Sequence, residues 1–491
     1  MTVSKLSAAL VSLVMLAPAC DSGEKKPEVK ADAKPDVKAE TKPEVKAEAK
    51  PEVKPDAKPE VKADVKPDPT PEPTPTPAVV VAPGGPGPAY FVVDKTGVVR
   101  LDGGKFTVLA DSPNMLAKGL QVGGDGKVWV AGFQDISRLD GDAFKPVVKA
   151  GFSELGGSIE DFVVAPDGQI WAVTFKGVSH HDGKAWSTEE KAAIGAGSDL
   201  LKGVALDKNG RVWVASTHKV HVRDGGAWKD VDLTKAGPGR TLYFEELELG
   251  PDNSVHALAS SALFHIGPNL DQVEKVKLGG RSISSYGKLG VSSNGGLVVV
   301  DIDTVIARAA GGETSSFAAG KQFKPGNIHA VAADDGGRVW VASEAGVTVL
   351  GPNDAKTEWL GGSVPELTGD VRGILVVGAG PAELPTAGPV RKGGLTGKLL
   401  QDGSPLADVA IEICPSPGMI FSKSPCADGA VKFSGKSDAN GVWTVSDVPL
   451  GTYGIAVKLG GKWQITLGSK IGEGMKEGQV YDTGSLTLDK K

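Results

Sequence analysis

The chain has 491 residues, of which 40% are hydrophobic, 23% charged and only 5% aromatic, with 67 Gly, 33 Pro and 3 Cys. So much glycine excludes a mostly helical protein, because each Gly inside a helix costs about 1 kcal/mol relative to Ala. The near balance of 54 Lys+Arg against 60 Asp+Glu, a formal net charge of −6, removes the cationic excess that nucleic-acid binding needs.

The chain opens with Lys5 and an apolar run from Leu6 to Ala19, which at fourteen residues is short of a membrane span. Residues 1–19 therefore read as a cleaved secretory signal. The cut falls after Ala17-Pro18-Ala19, immediately before Cys20. This placement resembles a bacterial lipoprotein signal, in which the first mature residue is an acylated Cys. The resemblance implies lipidation at Cys20 and a protein held by its lipid at the bacterial cell envelope, periplasmic or surface-facing. Ordinary cleavage at the same bond would instead leave Cys20 a free thiol. With Cys20 at the amino terminus, Cys414 and Cys426 remain as an even pair twelve apart, which outside the cytoplasm predicts a disulfide. No His follows His329 to complete a metal site beside them.

Residues 20–88 read as a disordered tether. From Glu24 to Pro77 the chain is almost wholly Lys, Pro, Glu, Asp, Val, Ala and Thr, with Lys recurring every four residues from Lys26 to Lys66. In a helix that register would stack Lys on Lys and acid on acid, and the prolines would break the helix in any case. Extended, solvated chain remains. It serves as a spacer, or alternatively binds envelope polymer through its lysines.

Past residue 88 a repeat emerges. Its clearest copies are IEDFVVAPDGQIWAVT (159–174), LKGVALDKNGRVWVAS (201–216) and HAVAADDGGRVWVAS (329–343), each an apolar strand, a Gly-containing turn and a second strand with a Trp. Trp129, Trp171 and Trp213 are 42 residues apart, and the interval to Trp340 accommodates two degenerate copies centred on His256 and Val298. A second beat of Asp-Gly turns, such as DGGKF (102–106), DGKAW (182–186) and DGGAW (224–228), joins a third strand to a fourth. Four-stranded units that cannot bury their own faces solve the problem by stacking radially. The first copy, from Ala89, lacks a first strand, and the segment 371–377 is a first strand with nothing after it. Joined, they complete a ring of seven. The expected fold is therefore all-β, with a seven-bladed β-propeller at 89–385 closed by strands from both its ends. The pattern resembles the propeller repeats of bacterial two-component sensor ectodomains.

After a Pro- and Gly-rich link, residues 394–491 alternate strands with Asp-Gly, Asn-Gly and Gly-Thr-Tyr turns, which predicts a small β-sandwich. Gly403-Ser-Pro-Leu-Ala-Asp-Val, Asp438-Ala-Asn-Gly-Val-Trp and Val448-Pro-Leu-Gly-Thr-Tyr resemble the carboxypeptidase regulatory-like (transthyretin-like) domain. That resemblance implies an accessory role in folding, spacing or binding, and brings no catalytic residues.

Candidate chemistry is sparse. His180 and His181 are consecutive on a strand and point to opposite faces, as do His218 and His221. His256 stands at the Trp position and is expected to be packed. Asp207-Lys-Asn-Gly uses calcium-loop residue types but lacks the remaining ligands, and reads as a turn. The recurrent tryptophans are expected between the sheets. No catalytic residue, cofactor or metal is assigned, and no P-loop or nucleophile elbow is present. The long fourth-to-first strand connections lie on one face around the channel mouth, and Arg240, Tyr243 and Arg281 are the contact candidates there. The expectation is a monomeric, non-enzymatic envelope lipoprotein whose propeller binds a protein, peptide or glycan at this loop face. The alternatives are an enzyme resembling the streptogramin lyases, whose propellers share this repeat turn, and carbohydrate binding through the sandwich.

Overall fold

The computed structural model describes residues 84–488 except 114–118, 150–151, 238–241, 280–282, 284–286, 303, 325–326, 416, 418–423, 428–430 and 473. The signal segment, Cys20 and the tether through residue 83 lie outside the described residues, as do Arg240 and Arg281.

Seven four-stranded antiparallel sheets form the propeller. Blade 4 is typical, with strands Leu201–Leu206, Val212–Ser216, Val220–Asp224 and Ala227–Asp230 running from the axis outward. Blade 1 is composite: Val371–Val376 is its inner strand and pairs antiparallel with Ala89–Val93, opposing Ile374 to Phe91. Both ends of the ring thus share one sheet. Two backbone bonds beside this seam, from Val377 N to Pro88 O and from Gly87 N to Gly380 O, extend the closure. The strand Ala89–Val93 is thereby paired on both sides and does not stand as a free edge at the chain's entry into the ring, the kind of edge that invites association between sheets.

The Asp-Gly turns and the tryptophans explain the period. In blade 4 the Asp207 carboxylate accepts backbone N–H bonds from Asn209 and Arg211, which shapes the turn. It also accepts from Arg211 Nε at 2.6 Å and from the indole of Trp213 at 3.0 Å. The guanidinium stacks over the indole, 5.3 Å from the ring centre. Blade 7 repeats the arrangement with Asp334, Arg338 and Trp340. The residues that resemble a calcium loop therefore spend their carboxylate inside the protein. Trp129, Trp213 and Trp340 are all buried between blades, and every such contact removes apolar surface that a single sheet would leave in water. Trp171 differs. It is only half-buried, with the His180 ring stacked at 4.0 Å and the Arg223 guanidinium 5.3 Å from its ring centre.

The C-terminal region is a sandwich of two four-stranded sheets. One contains Lys392–Gln401, Ser404–Pro405, Val442–Pro449 and Val480–Leu488, and the other Ala410–Cys414, Phe433–Lys436, Tyr453–Leu459 and Lys462–Ile471. Leu395, Leu399, Ile411, Ile413, Trp443 and Val457 fill the space between them. Cys414 and Cys426 form a disulfide. Among the described residues no helix is long and apolar enough to cross a membrane.

Candidate functional site

The inner strands of all seven blades surround a cavity of about 530 Å³ on the propeller axis. Five of these strands carry a bulge near their start, so that one extra residue (Glu160, Lys202, Glu245, His329 or Arg372) interrupts the ladder to the second strand. The residue after the bulge position is equivalent around the ring. It is Asp161 in blade 3, Gly203 in blade 4, Glu246 in blade 5, Lys288 in blade 6, Ala330 in blade 7 and Gly373 in blade 1. Two residues further on, the series reads Val163, Ala205, Glu248, Gly290, Ala332 and Leu375. At these positions blades 3, 5 and 6 carry charged side chains, and blades 1, 4 and 7 carry small or apolar ones.

Two carboxyl groups, Asp161 and Glu248, line the cavity, and a third, Glu246, lies next to it on the same inner strand as Glu248. Asp161 Oδ1 accepts from Phe162 N at 2.8 Å, and Oδ2 reaches across to Val204 N of the next blade at 2.9 Å. A Cβ at the neighbouring Gly203 would crowd Leu247 N of blade 5 at 3.2 Å, while standing at an ordinary 3.6 Å from Asp161 Oδ2. Glu246 makes the same kind of inter-blade bond, from Leu289 N to Oε2 at 2.6 Å, and pairs with Lys288 Nζ at 3.2 Å. Glu248 has no such partner among the described residues. Burial pushes the Asp161 carboxyl up to about 7, against the two N–H bonds that favour its charged form. Burial also raises Glu246, with Lys288 opposing. Glu248 is pushed up to about 8, first by burial and then by the charges of Asp161 and Glu246. Water does reach the Glu248 side chain inside the cavity. Protein nevertheless surrounds it, and a few confined waters solvate a carboxylate less well than bulk solvent.

None of the seven histidines lines this cavity. Among the described residues no group of three or more His, Cys, Asp or Glu is placed to hold a metal ion. His256 occupies the tryptophan position of blade 5, buried, with Nδ1 unpartnered and burial holding its pKa down to about 4. His218 and His221 correct the sequence reading that separated them. His221 Nδ1 contacts Asp230 Oδ1 at 2.8 Å and its Nε2 contacts Ser216 Oγ at 3.0 Å. Ser216 Oγ in turn donates to Asp199 Oδ2 at 3.3 Å, and Asp199 Oδ1 contacts His218 Nδ1 at 2.9 Å. The five side chains come from one blade and the loop before it, which is why residue spacing along a single strand missed the network. Although Ser, His and Asp stand in series, Ser216 and His221 are both wholly buried, so no substrate can reach the hydroxyl. The network ties the 191–199 loop to blade 4.

Tyr243 is 49% exposed, with its ring 5.1 Å from that of His218. It lies on the face that carries the fourth-to-first connections and the turns between second and third strands. Phe133, Phe175 at 65%, Leu200 and Ile302 at 75% exposure stand on the same face. Backbone bonds knit its parts together, from Ile159 N to Phe133 O, Thr217 N to Leu200 O and Phe244 N to Thr217 O. Over blade 7 this face is covered by the sandwich, which leaves the apolar residues of blades 2–4 and 6 open to solvent.

No protein-family model matches the chain, and no curated protein matches it in sequence. Solved structures similar in fold include a streptogramin B lyase, 18% identical, covering 51% of this chain and 85% of that one with a TM-score of 0.42. A catalytically inactive virginiamycin B lyase from Staphylococcus aureus, solved with quinupristin, is 17% identical and covers 50% of this chain and 84% of its own at a TM-score of 0.41. The extracellular domain of a putative one-component system from B. thetaiotaomicron is 12% identical, covering 77% of this chain and 61% of its own at a TM-score of 0.42. Similarity of this size assigns no residue a role. The chain is a seven-bladed β-propeller with an appended β-sandwich, on the evidence of its own sheets.

Proposed function

We propose that this protein is a non-enzymatic cell-envelope lipoprotein, anchored through Cys20 on a long tether, whose propeller binds a protein, peptide or glycan partner. The concentration of exposed Phe133, Phe175, Leu200, Tyr243 and Ile302 on one propeller face carries the reading. Isolated surface hydrophobics are ordinary, whereas a set shared by one face of a monomer is characteristic of an interaction surface. The axial cavity adds a place for a protruding group of the partner. The sandwich spaces or supports the propeller.

Photo-crosslinking residues introduced at Phe175, Tyr243 and Ile302 test this reading in envelope preparations, with Lys208 at the opposite end of the channel as control. Partner adducts from the loop-face positions alone are expected, and adducts from neither face would overturn it. Palmitate labelling of wild type beside Cys20→Ser tests the anchor, which is wrong if the wild-type chain takes no label.

A second reading has one observation in its favour. Acid–base catalysis uses carboxyl groups whose pKa lies near neutral pH, and Asp161 and Glu248 are both pushed there inside a cavity. A propeller lyase or hydrolase would require Glu248, and any turnover detected in a substrate panel should vanish in Glu248→Gln.

A further inference from the structure

All seven inner strands enclose the axial cavity, and among the described residues one carboxyl group in its wall is left without a partner. We propose that the cavity binds a primary ammonium group on an unbranched aliphatic stem, seated on the Glu248 carboxylate. The proposal rests on the reading of the propeller as a binding module and names the group that the cavity accepts. Lysine side chains of a partner and free alkylamines share this chemistry. The wall reaches Lys208, which is exposed at one end of the channel, so the cavity has an entrance.

The repeat singles Glu248 out. Opposite the tryptophan position of the second strand, the inner strands of blades 2, 3, 4, 6 and 7 have Gln121, Val163, Ala205, Gly290 and Ala332. All five line the cavity and none is charged. The composite blade contributes Ile374 and Leu375, which are apolar. Blade 5 alone places an ionisable group at this level, Glu248 opposite His256. Asp161 has a backbone N–H on each oxygen, one of them from the next blade, and Glu246 likewise takes an N–H of the next blade. Glu248 has neither, so its carboxyl group holds no part of the ring together. Packing does not account for it, and both of its oxygens are open to a ligand.

The sum of nearby charges favours a cation. Asp207 has a wholly buried side chain ion-paired with Arg211 at 2.6 Å, which makes a neutral pair. Glu246 and Lys288 make a second, at 3.2 Å. His256 is neutral, because burial holds its pKa down to about 4. Lys208 keeps one positive charge, with Nζ on Pro251 O at 2.8 Å. Against it stand two carboxyl groups in the wall, Asp161 and Glu248. Burial, then the charges of Asp161 and Glu246, pushes Glu248 up to about 8, so the empty cavity holds a proton there at neutral pH. An ammonium group replaces that proton, and binding therefore tightens as pH rises. The wall selects the rest of the ligand. Val163, Ala332, Ile374 and Leu375 suit an aliphatic stem, and about 530 Å³ leaves room for it with water. An ammonium has three N–H donors, which one carboxylate and confined water can satisfy. A guanidinium would bring five into the same aliphatic surroundings. A bare metal ion is not served, since among the described residues no three ligating side chains converge.

Butylamine and the neutral 1-butanol, titrated against the full chain by saturation-transfer NMR, test the assignment. Butylamine, like a lysine side chain, stays protonated between pH 6.5 and pH 8.5, so a pH dependence over that range belongs to the protein. It is expected to bind saturably at pH 8.5 with Kd of about 1 mM, within the range open to so small a ligand, and about tenfold more weakly at pH 6.5. Butanol should bind about tenfold more weakly than butylamine at pH 8.5 and be indifferent to pH. Glu248→Gln keeps the shape and removes the charge. It should bring butylamine down to the affinity of butanol, abolish the pH dependence and leave butanol unaffected. Nα-acetyllysine methylamide separates the two sources: affinity like that of butylamine assigns the site to a lysine side chain, and exclusion assigns it to a free alkylamine. Absence of saturable butylamine binding overturns the proposal. So does affinity equal to that of butanol, or butylamine binding indifferent to Glu248→Gln. Loop-face crosslinks without amine binding would sink this proposal alone, and amine binding without crosslinks would sink the broader reading alone.

Discussion

Blades 4 and 5 are neighbours built on one repeat, and they put their polar residues to opposite uses. Blade 4 spends its carboxylate in the Asp207–Arg211–Trp213 cluster and has Gly203 and Ala205 on its inner strand where blade 5 has glutamates. Blade 5 has Gly250 and His256 where blade 4 has Asp207 and Trp213, and its inner strand carries Glu246 and, in the cavity wall, Glu248. Regularity in the repeat marks packing, and departure from it marks where the channel acquires charge. Buried ionisable groups oppose folding unless compensated, so a blade bearing them is tolerated within a ring whose other blades are well packed.

The largest effect should come from breaking the regular blade. Trp213→Ala deletes a fully buried indole and leaves Asp207 and Arg211 short of a partner, at a cost of roughly 3–5 kcal/mol. Urea denaturation measures it, and a loss below about 1 kcal/mol would mean that the indole is not what holds adjacent blades together.

The converse substitution sharpens the comparison. Blade 2 has Gly123, Asp125 and Trp129, with the indole donating to Asp125 Oδ1 at 2.9 Å. Blade 5 has Gly250, Asp252 and His256 at the same three places. His256→Trp therefore has both the glycine that makes room and the carboxylate that accepts its N–H. It should raise stability by about 1 kcal/mol, as a change to the residue that recurs at the same place of a repeat commonly does, and also removes the unpartnered Nδ1. Thermal denaturation should show the gain disappearing when Asp252→Ala is added. A gain that survives would show that the carboxylate is not the acceptor.

The smallest effect is a pH dependence. Asp161 and Glu248 have folded pKa values of about 7 and about 8, above the ordinary carboxylate range of about 4 that they regain on unfolding. Between those limits the folded chain holds more protons than the unfolded one, so stability is fully present at low pH and is lost as pH rises through 7 to 8. Glu248→Gln removes its share of the proton difference. The melting temperature of the variant should fall less than that of wild type between pH 5 and pH 9, and parallel curves would mean that Glu248 titrates normally.

Much of the fold was legible in the sequence because a propeller writes its period into the chain. Trp129, Trp171, Trp213 and Trp340 gave the spacing, the Asp-Gly turns gave the four strands, and the unmatched segments at Ala89 and Val371 indicated a closed ring. The disulfide followed from counting cysteines. Each of these features is local or periodic, so backbone propensity and residue spacing suffice to specify it. The candidate sites are neither. Glu248 and Asp161 meet near the axis only because the ring curves back on itself, and His218, His221 and Asp199 converge because a loop folds over blade 4. By itself the sequence determined the number and order of the sheets, since repetition along the chain is enough to count them. Only the tertiary structure decided which charges face one another and which of them lack partners, because those relations hold between residues that are distant in sequence and that nothing periodic connects.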